Sequence, residues 1–144
     1  MVISTDTSFL FSLYRNDCRS LTVAVWLATS TAPITISNFT DFELRNALRF
    51  SEFGRCVPPR TAQNQITLFE NVIALGRVIL RPVNPAEVLA EASRLSTTHT
   101  LTGGRRGFDI LHVAAAKIIR ATHFLTFDAN QKTLAAKQGF ITPL

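Results

Sequence analysis

The chain has 144 residues, with 15 Lys or Arg against 10 Asp or Glu, a formal charge of +5 and a pI near 10.0. A composition 47% hydrophobic and only 17% charged excludes a disordered chain, and 144 residues close one sizeable core rather than two, so one domain over 1–144 is expected. Two cysteines, Cys18 and Cys56, exclude a disulfide framework and make no zinc site by themselves, which points to a reducing compartment and leaves a polyanion as the partner the basic surface suits.

Met1–Asp6 has no basic n-region and reaches an acid within six residues, so no secretory signal is expected. Val2–Thr5 reads as a short strand ending at a turn. Ser8–Tyr14 and Leu21–Ala28 read as a helical hairpin broken at Arg15-Asn16-Asp17. After Pro33, Ile34–Ser37 is a second strand, and Thr40–Phe53 has helical spacing at Phe42, Leu44, Ala47 and Leu48. Gly54–Pro59 is a loop, Gln63–Leu75 a helix stopped by Gly76, and Val78–Leu80 a third strand. Pro85 opens a helix expected to end near Ser96. Gly103–Gly107 reads as a flexible basic loop and Phe108–Ala121 as a helix of small residues. His123–Phe127 is a fourth strand, Asp128–Lys137 a short helix and Phe140–Thr142 a last strand. Strands alternating with helices predict an α/β fold, a parallel sheet of four or five strands covered by helices on both faces. Leu21–Ala28 and Ile110–Ala121, the most apolar windows, fall short of the ~20 residues a bilayer needs, so a cytoplasmic protein without membrane contact is expected.

Asp6, Glu43, Asp109 and Asp128 each have an ordinary explanation. Asp6 and Asp128 suit helix N-caps, Thr40-x-x-Glu43 suits a capping box, and Asp109 favours the dipole of the helix it opens. Taken together they suggest more. Asp6, Glu43 and Asp128 all fall just past strand ends, along the edge where parallel sheets bind ligands. Asp109 joins them only if Gly103–Gly107 carries the chain back to that edge. Clustered carboxylates repel, and a divalent cation relieves them; oxygen-only donors suit Mg²⁺ or Mn²⁺.

The four acids sit in segments that resemble a known family. Asp6-Thr7-Ser8-Phe9-Leu10 is similar to the opening D-[TS]-[SN]-x-L of PIN-domain ribonucleases, especially VapC-type toxins of toxin–antitoxin pairs. Glu43-Leu44-Arg45-Asn46-Ala47-Leu48 resembles their E-x-x-N-A-L helix. Arg106 to Ala116 resembles their R-x-x-D-x-x-H-x-A-A-A signature, and Phe124 to Asp128 their [VIL]-x-T-x-D strand end. The segments come in family order. Asn38–Asp41 is more polar than the usual approach to the helical Glu, which leaves Asp41 as the alternative to Glu43.

The resemblance implies a three-layer α/β/α fold, a metal-dependent endoribonuclease, a homodimer and an antitoxin that silences it. Asp6 and Asp109 are then the first choice as direct Mg²⁺ or Mn²⁺ ligands, with Glu43 and Asp128 binding directly or through water. Ser8 and Thr126 orient these acids, unless they are ordinary turn and strand-end hydroxyls. Arg45, Arg49, Arg105 and Arg106 are candidates for RNA phosphates; Arg106 has pairing with an acid as its alternative. His112, one helical turn from Asp109, reads as a hydrogen-bonded structural histidine ahead of a proton-transfer group. The apolar Leu21–Ala28 with Trp26 is surplus to a thin sheet and suits a C₂ dimer. The competing function is a non-catalytic module of the same fold that binds RNA or protein. A receiver domain would want an acidic pair after strand one, where Asp6 stands alone, and no P-loop or nucleophile-elbow motif occurs.

Overall fold

The structure, a computed structural model, describes residues 1–15 and 17–144. The break expected at Arg15-Asn16-Asp17 therefore lies partly outside the described residues. Four strands, β1 (Ile3–Thr5), β2 (Ile34–Ile36), β3 (Val78–Leu80) and β4 (His123–Leu125), form one parallel sheet in the order β3-β2-β1-β4. Around it lie α1 (Thr7–Phe11), α2 (Ser20–Thr29), α3 (Asn38–Phe53), α4 (Thr61–Ala74), α5 (Pro85–Gly103), α6 (Gly107–Ile118) and α7 (Ala129–Lys137). The α/β architecture expected from the alternation is what forms. The last expected strand, Phe140–Thr142, is reduced to one parallel bridge between Ile141 and His123, because Pro143 follows and only three residues are available to pair.

The strands alternate between two cores. Leu125 joins Ile3, Ile34, Ile36 and Val78 against Phe9, Leu10, Val23, Leu44, Leu48, Ile66 and Phe69 of α1–α4. Its neighbour Phe124 faces the other way, into Val88, Leu95, Val113–Ala116, Leu134 and Phe140. Side chains at period 2 on a sheet covered on both faces account for this double burial in β1, β2 and β4, whereas the edge strand β3 buries Val78 and leaves Ile79 and Leu80 exposed. The run Ala114-Ala115-Ala116 is buried, and its small side chains let α6 approach the sheet closely. Among the described residues no helix is long and apolar enough to cross a membrane.

Three local details position the site. Ser37 rather than Thr40 caps α3, its hydroxyl accepting from the Thr40 N–H at 3.3 Å, so the expected Thr40-x-x-Glu43 capping box does not form. Glu43 consequently lies in the second turn of α3, not the first. α5 runs on to Gly103 instead of ending near Ser96. At 1.5 Å per residue it is about 28 Å long, far deeper than strands of three residues. Gly104, in the left-handed region at φ +60°, then reverses the chain into α6. The return of Asp109 to the acidic edge is thus made by a helix and a tight turn, not by a flexible loop.

Candidate functional site

The sheet order reverses between β1 and β4, and the first and last acids leave the sheet at that point. Asp6 follows β1 and caps α1, accepting from the Phe9 N–H at 3.1 Å. Asp128 follows β4 and caps α7, accepting from the Gln131 N–H at 2.8 Å. Capping does not use up either carboxylate. In each case Oδ1 serves the helix and Oδ2 turns elsewhere: to the Thr126 hydroxyl at 2.7 Å for Asp6, and to the Arg106 guanidinium at 3.0 Å for Asp128.

Asp6, Thr7, Ser8, Glu43, Arg106, Asp109, His112 and Asp128 line one cavity of about 150 Å³. All four acids singled out in the sequence therefore share it. Asp41 does not line it; its carboxylate pairs with Arg45 Nε at 2.9 Å, one turn along α3. Four formal negative charges stand against the single guanidinium of Arg106 in this cavity. That is a strong local excess in a basic chain.

Each acid is held differently. Asp6 is buried, and burial pushes its carboxyl above the ordinary range, opposed by hydrogen bonds from Thr126 and Ser8, the nearby His112 and the Phe9 N–H. The Ser8 hydroxyl lies 2.9 and 2.8 Å from the two Asp6 oxygens and also accepts from the Phe127 N–H at 3.2 Å. One serine thus ties the turn after β1 to the turn after β4. Half-burial raises Glu43, but hydrogen bonds from His112 and Thr7 outweigh it and leave the group below the usual value. His112 Nε2 is 2.5 Å from Glu43 Oε2, and Nδ1 is 3.2 Å from the Thr40 hydroxyl. A carboxylate only accepts, so Nε2 carries the proton. Asp109, in the first turn of α6, meets Arg106 Nε at 3.0 Å.

The donor set fits a hard divalent cation: four carboxylates flanked by hydroxyls, with no cysteine at the cavity and His112 already engaged by Glu43 and Thr40. As the side chains stand, no three His, Cys, Asp or Glu groups among the described residues converge closely enough to hold a metal ion. It is the Arg106 guanidinium that joins Asp109 to Asp128.

The PIN domain family model matches residues 3–137. The chain belongs to the PIN-domain family. In structure this PIN domain is similar to VapC20 of Mycobacterium tuberculosis, a toxin that cleaves the sarcin–ricin loop, with a TM-score of 0.69, 20% identity and 96% of each chain covered. It is also similar to FitAcB of Neisseria gonorrhoeae, with a TM-score of 0.68, 20% identity and 98% of this chain and 96% of that one covered. The VapBC2 proteins of Rickettsia felis, solved on a DNA fragment from their promoter, give a TM-score of 0.64 at 17% identity, covering 99% of this chain and 97% of that one. No curated protein sequence matches.

The basic candidates fare unevenly on this PIN domain. Arg49 is exposed on α3 beside Glu52 and Arg60. Arg45 is pinned between Asp41 and Glu70, 2.9 and 2.7 Å away, over the Phe69 ring. Arg105 corrects the expectation that it meets a polyanion: it is buried, donates to the Asn130 carbonyl and packs over Gly103, where a Cβ would come within 2.7 Å of its Nε. Three residues at the site were missed in the sequence. Thr7 donates to Glu43, Thr40 supports His112, and the fully buried Gln131 bonds the Asp109 carbonyl at 3.1 Å while its Oε1 lies 3.0 Å from the Thr126 hydroxyl. Asp128-x-x-Gln131 has capping-box spacing, which is the one signal that singles Gln131 out.

Proposed function

We propose that this PIN domain, taken as one domain over residues 1–144, is a Mg²⁺- or Mn²⁺-dependent endoribonuclease, the toxin of a toxin–antitoxin pair acting in the cytoplasm. The observation that carries the reading is the meeting of four carboxylates, from four separate segments, in one cavity at the point where the strand order reverses. Solved structures of like fold, one described as a sarcin–ricin-loop-cleaving toxin and another as a toxin–antitoxin complex from Klebsiella pneumoniae, favour the substrate class and an antitoxin partner.

Asp6 and Asp109 are the direct ligands in this proposal, joined by Glu43 and Asp128. A divalent cation there supplies an activated water and relief of charge on the leaving oxygen of a phosphodiester. The protein's own part is to fix the acids. Ser8 and Thr126 orient Asp6, while Thr7 and His112 hold Glu43 ionised and turned into the cavity. Arg49, Arg45 and Arg106 are the basic groups assigned to the RNA backbone, giving affinity without base choice. A short single-stranded RNA incubated with purified protein is expected to be cut in Mg²⁺ or Mn²⁺ and left intact in EDTA. Metal binding without cleavage of any RNA would favour the non-catalytic module instead.

We also propose a homodimer. α2 leaves Leu21 72% and Val25 52% exposed, beside Trp26 and Leu144. A contiguous apolar strip of this kind suits an isologous interface. Sedimentation at micromolar protein is expected to give about twice 15.9 kDa, and a clean monomer would contradict it.

A further inference from the structure

We propose that Arg106 is a built-in competitor of the divalent cation: its guanidinium bridges Asp109 and Asp128 in the metal-free protein and must leave them before a metal binds. The inference rests on the metal reading above and extends it to a residue outside the ligand set.

The geometry is that of a bridge rather than a surface pair. Nε reaches Asp109 Oδ2 and Nη2 reaches Asp128 Oδ2, both at 3.0 Å, so one guanidinium divides two of its nitrogens between two different carboxylates. These carboxylates come from different segments, α6 and the turn after β4, and nothing else joins their side chains among the described residues. Arg106 is also the sole lysine or arginine among the residues lining the cavity. Its positive field reaches as far as Glu43. It therefore occupies Oδ2 of both acids, and a metal that takes those oxygens has to displace it.

The bridge is built to open. The Arg106 side chain is 74% exposed, whereas Asp109 and Asp128 are 16% and 28% exposed. The acids are set into the protein and the arginine reaches in from solvent. Arg106 is the N-cap residue of α6, yet its side chain makes no capping bond; only its carbonyl serves the helix, accepting from the Ile110 N–H at 3.2 Å. The guanidinium can swing away without unravelling α6. A divalent ion brings twice the charge to oxygens at roughly 2.1 Å, so it wins the exchange, but against a standing competitor. The apparent metal affinity is the intrinsic one multiplied by the fraction of protein in which the arginine is out.

The test is Mn²⁺ binding to the full chain without RNA, read by the loss of the free-ion electron paramagnetic resonance signal. Arg106→Gln is expected to tighten the dissociation constant roughly three- to tenfold, the range that two partly exposed ion pairs cover. Arg106→Lys keeps the charge without the planar fork and is expected to fall between that variant and the wild type. Lys137→Gln removes the same charge from an exposed position at the far end of α7 and is expected to change affinity less than twofold. A second readout needs no metal: in EDTA, Arg106→Gln should melt below the wild type, because the acids lose their counter-charge. Wild-type or weaker Mn²⁺ affinity in Arg106→Gln would overturn the proposal while leaving the metal site standing. Equal tightening in Lys137→Gln would overturn it too, by reducing the effect to net charge. Failure of all four proteins to take up Mn²⁺ would remove this proposal and the metal reading together.

Discussion

Asp6→Asn is expected to melt higher than the wild type in EDTA and to lose the rise that Mn²⁺ gives the wild type. Burial lifts the Asp6 carboxyl above its unfolded value. A carboxyl raised in this way costs stability as pH climbs from the unfolded value through the folded one, and the cost persists at neutral pH. Asparagine removes it. The Asn oxygen still accepts from Phe9 N–H and Ser8. Its amide can donate to Thr126, whose own proton then turns to Gln131 Oε1 at 3.0 Å. Asn also caps a helix as well as Asp does. The metal-free gain should shrink as pH falls and the two proteins should converge in stability below about pH 3.9, where the unfolded carboxyl is itself protonated. With metal the order reverses. A hundredfold excess over Kd stabilises the native state by about 2.7 kcal/mol, or roughly 5–11 °C at this chain length, and only the wild type should show it. RNA cleavage should fall by at least about a thousandfold in the variant, since several kcal/mol of charge stabilisation go with the metal. Differential scanning calorimetry across pH, with and without Mn²⁺, checks the stability half. A wild-type metal increment in Asp6→Asn would contradict the assignment of Asp6.

Phe9→Ala should be the most damaging single change to the fold. Phe9 is fully buried in the turn that carries Asp6. Its ring meets Trp26 edge-on at 5.8 Å and 87°, and stacks on Phe127 at 5.7 Å and 25°. Truncation removes both contacts and opens a cavity between α1, α2 and the strand end before Asp128, costing about 3–5 kcal/mol. Phe9→Leu keeps much of the volume and should cost about 1.5 kcal/mol. Urea denaturation with an unchanged m-value reads the difference directly. Activity should suffer even in the folded fraction, because the Phe9 N–H holds Asp6 and the Phe127 N–H holds Ser8. A loss below about 1 kcal/mol for Phe9→Ala would mean that this aromatic stack does not hold the site together.

The strands were legible because each is a short β-prone run between punctuating residues. The four acids were legible because three follow strand ends. What escaped the sequence did so for local reasons. Thr97, Thr98 and Thr100 are weak helix formers, so the sequence alone places the end of α5 near Ser96. In the fold, buried Leu95 anchors the helix. The Thr97 and Thr98 hydroxyls bond back to the Ser93 and Arg94 carbonyls at 3.0 and 3.1 Å, so their competing bonds are made within the helix. Arg105 and Arg106 are adjacent and chemically identical, with no periodicity in the turn to separate them. In the fold the first packs over Gly103 and donates to the Asn130 carbonyl, while the second turns onto the acids. His112 is hydrogen-bonded through both ring nitrogens, to Glu43 and to Thr40, in line with the reading placed first for it. Its partner, Glu43, comes from a helix 69 residues away in sequence, and no local pattern predicts that.

A divalent cation site formed by Asp6, Glu43, Asp109 and Asp128 underlies the proposed activity. The most direct measurement is an anomalous difference map from a crystal of the wild-type protein soaked in millimolar Mn²⁺, collected near the manganese edge. A peak is expected in the cavity within coordinating distance of Asp6 and Asp109, roughly 2.0–2.3 Å, with the Arg106 side chain displaced from both of its carboxylates. A well-ordered cavity with no peak, or a peak only at some other part of the surface while Arg106 keeps its bridge, would contradict it.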